Sequence, residues 1–195
     1  IWLVEDHNLA NEQSMKKILI LVEGQTEERF VKDILSPFFI SQEIDLRSII
    51  VSTKILNDGT KKYKGGLASH DYNKVKRELQ NLLQDSSAIA VTTMFDFYGL
   101  PKDFPSYESE NVTDCYDKVA LAEKAFSEDI NQKKFIPYLQ LHEFEGLLFS
   151  SPDIISETLG QTNKMELKKI RDIFKTPEEI NQGEETHPSK RILKL

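Results

Sequence analysis

Cysteine is almost missing from this chain: Cys115 is the single one in 195 residues. An internal disulfide and a cysteine-rich zinc site are thereby excluded, and a plain, partly buried thiol is expected. Long apolar runs are missing as well. None approaches the roughly 20 residues that span a bilayer, and residues 1 to 14 carry Glu5, Asp6 and Glu12 without a Lys or Arg, unlike a signal peptide. No membrane is expected, and the cytoplasm is the expected compartment. A surplus of positive charge is lacking too: the formal net charge is −7 and the pI near 5.2. That balance argues against a nucleic-acid binder over the whole surface, because phosphate affinity rests on clustered Lys and Arg. It leaves room for a local basic groove and for metal ions, which invert the local charge where a phosphate must sit. Neither a Walker-type lysine motif nor a Rossmann glycine fingerprint follows the first strand, which sets aside a nucleotide-binding regulator.

What the chain does contain is the composition of a folded domain, with 39% hydrophobic and 29% charged residues. The length suits one core with a small appendage. Met15 followed by Lys16 to Val22 reads as a start running into a buried strand, continuous rather than alternating as in a central parallel sheet. Residues 1 to 14 read as a leader or added extension. Thr26 as N-cap and the spacing of Phe30, Val31, Ile34 and Leu35 predict a helix up to Pro37. Arg47 to Thr53 reads as a second strand, Asn57 to Gly66 as a loop, residues 71 to 85 as a helix and Ala88 to Phe95 as a third strand. After an irregular stretch around Gly99, Pro101 and Pro105, a helix over 114 to 131 and a fourth strand over Phe135 to Leu141 are predicted. Helical patterns follow around Phe144 to Phe149, over 152 to 159 and over 163 to 174. Strands alternating with helices imply parallel βαβ units. The expected fold is therefore α/β, Rossmann-like, with a mainly parallel sheet over 15 to 150 and a helical part over 151 to 195.

In such sheets ligands bind beyond the carboxyl ends of the strands. Glu23 follows the first strand, Asp96 the third, and His142-Glu143-Phe144-Glu145 the fourth, so three strand ends deliver acids to one edge. Hard cations such as Mg²⁺ and Mn²⁺ take oxygen ligands from a few carboxylates, substrate phosphate and water. Each acid has a blander reading as well: Glu23 capping or pairing with Arg29, Asp96 starting a turn, Glu143 and Glu145 sitting at a helix N-terminus. On a wheel of about 100° per residue, Phe144, Leu147 and Leu148 form an apolar face with Glu143 and Glu145 on opposite flanks. Glu143, nearer the strand end, is then the one expected in the site. Gly24, where the backbone could bend and a phosphate approach, together with His142 and Glu145, are the supporting candidates. Lys61, Lys62 and Lys64 beside Gly65 and Gly66 form the clearest basic cluster, suited to gripping a sugar-phosphate backbone or else simply a solvated loop. Tyr63, Phe97 and Tyr98 could stack on bases or serve the core.

The motifs Val22-Glu23-Gly24-Gln25-Thr26-Glu27, Lys64-Gly65-Gly66, Asp96-Phe97-Tyr98-Gly99-Leu100-Pro101 and His142-Glu143-Phe144-Glu145-Gly146-Leu147-Leu148-Phe149 resemble a bacterial Toprim-like family of unknown function. The resemblance runs over roughly Met15 to Leu195. It extends to the nucleases of the overcoming-lysogenization-defect and RloB type, often paired with ATPases in defence against phage. It implies Glu23, Asp96 and Glu143 as ligands of Mg²⁺ or Mn²⁺, or as general base, in hydrolysis of a DNA or RNA phosphodiester. The usual second aspartate after the third strand is replaced here by Phe97-Tyr98. Glu143 or Glu145 compensates, or one metal serves instead of two, or the pocket only binds. The competing expectation is a non-catalytic module docked on an ATPase partner. Pro188-Ser189-Lys190-Arg191-Ile192 resembles a late motif of the same family, whose chains usually continue into another helical segment.

Overall fold

The computed structural model describes residues 15–51, 54–55, 61–62, 67, 71–105, 112–160, 163–180 and 188–193. The expected leader over 1 to 14 lies outside them. Five strands form a parallel sheet: β1 (Lys16–Val22), β2 (Ile44–Ile50), β5 (Ala88–Asp96), β6 (Phe135–Ile136) and β7 (Leu139–Gln140). β1 lies between β2 and β5, and β5 carries both β6 and β7 on its other side. A separate antiparallel pair joins β3 (Lys54–Ile55) to β4 (Lys61–Lys62). This is the Rossmann-like α/β arrangement expected from the alternation of strands and helices. Among the described residues no helix is long and apolar enough to cross a membrane.

Strand β1 is buried on both faces because its side chains alternate between two cores. Leu19 and Leu21 join Val91 and Phe95 of β5, Val75 and Leu79 of α3 (Tyr72–Leu83), and Ala122 and Phe126 of α4 (Cys115–Ile130). Ile20 and Val22 join Met94, Val31 and Phe144 on the opposite face. In the first core Phe126 meets Phe104 and Phe135 edge to face at 4.8 and 4.9 Å, contacts worth about 0.5–1.5 kcal/mol each beyond their area. Asp71 and Asp114 start α3 and α4 by accepting from the N–H groups of Asn73 and of Tyr116 and Asp117.

The first crossover helix departs from expectation at both ends. Gly24, not Thr26, is the N-cap of α1 (Gln25–Phe30), and Glu27 reaches back to accept from the Gly24 N–H at 2.9 Å. The helix also passes Pro37 and runs to Ile40, through a π-helical turn at Val31–Leu35 into α2 (Ser36–Ile40). The Ser36 N–H bonds to the Val31 carbonyl five residues back, and Pro37 follows in the first turn of α2. The fourth strand is broken as well. Pro137 separates β6 from β7, and the Thr93 hydroxyl bridges the gap by donating to the Tyr138 carbonyl at 2.9 Å and accepting from its N–H at 3.1 Å.

Residues Phe144–Ser150 wind as a 3-10 helix, not an α-helix. The tighter pitch buries Phe144, Gly146 and Phe149 and leaves Leu148 49% exposed, which corrects the apolar face predicted from a wheel of about 100° per residue. Beyond it, α5 (Pro152–Thr158), α6 (Lys164–Asp172) and α7 (Pro188–Leu193) share a third core of Phe149, Ile155, Leu167, Phe174 and Ile180. Gly146 is the hinge of this packing, because a Cβ there would stand 3.0 Å from the Pro177 carbonyl oxygen. Gly146→Ala is expected to cost about 1–3 kcal/mol by overpacking. An unchanged thermal midpoint would show that the 177–179 turn yields freely.

Candidate functional site

The connections leave β1 and β5 on opposite faces of the sheet. After β1 the chain packs α1 and α2 over Ile20 and Val22, whereas after β5 it packs α4 over Val91 and Phe95. β1 also leads outward to β2, and β5 leads the other way to β6. The switch point therefore lies between β1 and β5, where the crevice of a doubly wound sheet opens. Glu23 and Asp96 end those two strands.

Glu23 is half-buried, and its Oε1 accepts from the Leu67 N–H at 2.9 Å. Its Oε2 is buried with no hydrogen-bond partner among the described residues. Burial pushes the Glu23 carboxyl up, the Leu67 N–H draws it down, the Glu27 charge adds to the rise, and the Asp96 backbone N–H, too far or too bent for a full hydrogen bond, lowers it slightly. The ion pair with Arg29 considered above is not present, and no other cation among the described residues acts on this carboxyl. Asp96 is pushed up further, to about 8, by burial first and then by Glu23, Glu27, Glu145 and Glu143. Among the described residues the charges that move it are all negative. Gly99, in the turn after β5, faces both acids: a Cβ on it would lie 3.7 Å from Asp96 Cβ and 3.8 Å from Glu23 Oε2. Its missing side chain keeps the space over the pair open.

Glu143 is the N-cap of the 3-10 helix and is hydrogen-bonded to the Tyr98 hydroxyl. That phenol is held well above its usual range by burial and by Asp96 and Glu143, so it stays protonated and donates. Glu145 is half-buried and raised by burial, then by Glu143 and Glu27. His142 is half-buried at the end of β7. The five acids thus act on one another electrostatically, but among the described residues no three His, Cys, Asp or Glu side chains are placed to hold a metal ion together. Glu23 and Asp96 are the close pair, with Glu143 turned to Tyr98.

The reason given for Gly24 needs correction. Its backbone is extended, with φ −148°, a conformation open to any residue, so no sharp bend requires glycine there. The nearest obstacle to a Cβ is the flexible Glu27 carboxylate at 3.2 Å. Lys61 and Lys62 lie on β4, their side chains outside the described residues, as are Lys64, Gly65 and Gly66 altogether. Leu67, directly after them, returns to Glu23 through its N–H. Glu27 and Gly99 were not singled out from the sequence as site residues. Glu27 carried a signal in its spacing of three from Gly24, the pattern of a capping box.

A family model described as Domain of unknown function (DUF4276) matches residues 22–195. No curated protein and no solved structure matches the chain.

Proposed function

Since the chain belongs to the DUF4276 family, a domain of unknown function, we read its activity from the acidic edge and propose a Toprim-like, Mg²⁺- or Mn²⁺-dependent nuclease hydrolysing DNA or RNA. One observation carries this reading: two carboxyls, Glu23 and Asp96, share the switch-point crevice over the open side of Gly99, and both are raised by burial, with no cation acting on either among the described residues. The orphaned Glu23 Oε2 is the acceptor that a cation would satisfy. Mg²⁺ suits a pair better than a cage, because it is usually held by one or two carboxylates with water and substrate phosphate completing the shell. The ion would supply Lewis-acid polarisation of the phosphoryl group and a lowered pKa for attacking water.

The chain's own residues have separable tasks in this scheme. Glu23 and Asp96 supply the charge, and the Leu67 N–H fixes Glu23 in one orientation. Tyr98 holds Glu143, which is assigned as the general base rather than a third ligand, with Glu145 as its neighbour. The segment with Lys61, Lys62, Lys64, Gly65 and Gly66 is assigned to the substrate backbone, since the residue that follows it is bonded to Glu23. Incubating the full chain with labelled single- and double-stranded DNA and RNA in Mn²⁺ tests the reading. Cleavage that stops with chelator and with Glu23→Gln supports it.

The competing module that docks on an ATPase partner draws on a different feature. An apolar groove of about 470 Å³ lies beside Phe144, lined by Ile34, Leu148, Ile154 and Leu159 among others. Absence of cleavage by a folded chain that also fails to bind Mn²⁺ supplied at saturating concentration would favour that reading.

A further inference from the structure

One buried donor at this edge has no acceptor among the described residues. Gln140 on β7 is the register partner of Asp96 on β5, so the two side chains stand next to each other on one face of the sheet. Gln140 is only 1% exposed. Its Oε1 accepts a 2.7 Å hydrogen bond from the Tyr138 hydroxyl, and Tyr138 is itself tied to β5 through Thr93. One end of the amide is therefore fixed. The other end, Nε2, is buried with no hydrogen-bond partner among the described residues. On the other side of Asp96, Glu23 Oε2 is the matching case, a buried acceptor that receives no hydrogen bond of normal geometry among the described residues. Buried polar groups without partners are few in folded proteins and costly to keep.

We propose that Gln140 is a positioning residue of the acidic site: its Nε2–H group donates to the Asp96 carboxylate when that carboxylate faces a divalent cation. The inference rests on the metal reading of Glu23 and Asp96 and adds a residue to it. A neutral amide is the suitable group here, since a lysine or arginine would compete with the cation and another carboxylate would add repulsion. Ligating carboxylates are themselves commonly hydrogen-bonded from behind, and loss of such a partner costs roughly 10–100-fold in metal affinity. Tyr138 orients the amide from its far end and sets which way the donor points.

Mn²⁺ affinity by calorimetry and the thermal midpoint without metal, measured on the full chain, test this. Gln140→Leu is expected to weaken Mn²⁺ binding by about 10-fold or more, while the metal-free midpoint stays level or rises, because an apolar side chain replaces the unpartnered Nε2 and the Tyr138 hydroxyl, on an exposed residue, can turn to water. Tyr138→Phe, at a half-exposed position, should weaken Mn²⁺ binding by a smaller factor and decides the matter if Gln140→Leu fails to fold. Unchanged Mn²⁺ affinity in the folded variant overturns the proposal, as does a lowered midpoint without any change in affinity. Failure of the wild-type chain to bind Mn²⁺ would instead remove the metal reading. In that event a mutant cycle at pH 9 in chelator decides on Gln140: non-additive midpoint shifts for Gln140→Leu and Asp96→Asn uphold the contact with the carboxylate, and additive shifts overturn it.

Discussion

Asp96→Asn is expected to raise the thermal midpoint at pH 8 and to flatten its dependence on pH. The carboxyl ordinarily titrates near 3.8 and is pushed up to about 8 in the folded protein, so the folded chain keeps a proton that the unfolded chain releases. Stability from this group is full below about pH 4, falls as pH rises, and is lost once pH passes about 8. Each unit of difference corresponds to about 1.4 kcal/mol, which puts the loss on the order of a few kcal/mol. Glu23 and Glu145, also raised, act in the same direction. The asparagine keeps the shape and carries no charge, so the slope assigned to Asp96 disappears. Calorimetry in chelator from pH 5 to 9 checks this, and Mn²⁺ at pH 8 should restore much of the lost midpoint in the wild type. A wild-type midpoint that does not fall between pH 5 and 8 would contradict the burial assigned to Asp96.

The second large effect is on chemistry. Glu23→Gln leaves an amide oxygen to accept from the Leu67 N–H but removes the charge that a divalent ion needs. Loss of Mn²⁺-dependent cleavage by more than about 100-fold is expected, because even an outer hydrogen-bond partner is worth roughly 10–100-fold. The fold should survive. A Glu23 that served only to anchor the Leu67 N–H would keep that role as an amide and leave activity alone. Cleavage rates and thermal midpoints therefore have to be read on the same preparation. Near wild-type cleavage by a folded variant would remove Glu23 from the chemistry.

Local pattern made much of this architecture legible. The unbroken apolar run of β1, the β-branched stretch of β5 and the spacing of Val75, Leu79, Ala122 and Phe126 each record burial in neighbouring residues. Placement of Glu23 and Asp96 beside one switch point followed from the strand ends. The departures arise where a distant partner or a local defect decides. The helix carries Pro37 just after a π-turn, and Pro137 is accommodated because Thr93 on another strand covers the gap. Gln140 could not be picked out from its neighbours in sequence, since its significance comes from lying in register with Asp96, 44 positions earlier. Gly99 is similar: its sequence context reads as a turn, and its role over the two carboxylates appears only once β1 and β5 are side by side.

The account stands most directly on where a divalent ion binds. Crystals of the full chain grown with Mn²⁺ and measured for anomalous scattering would locate it. An ion between the Glu23 and Asp96 carboxylates, with Glu23 Oε2 among its ligands, is the predicted result. An anomalous peak elsewhere, or none at saturating Mn²⁺, would contradict the central claim.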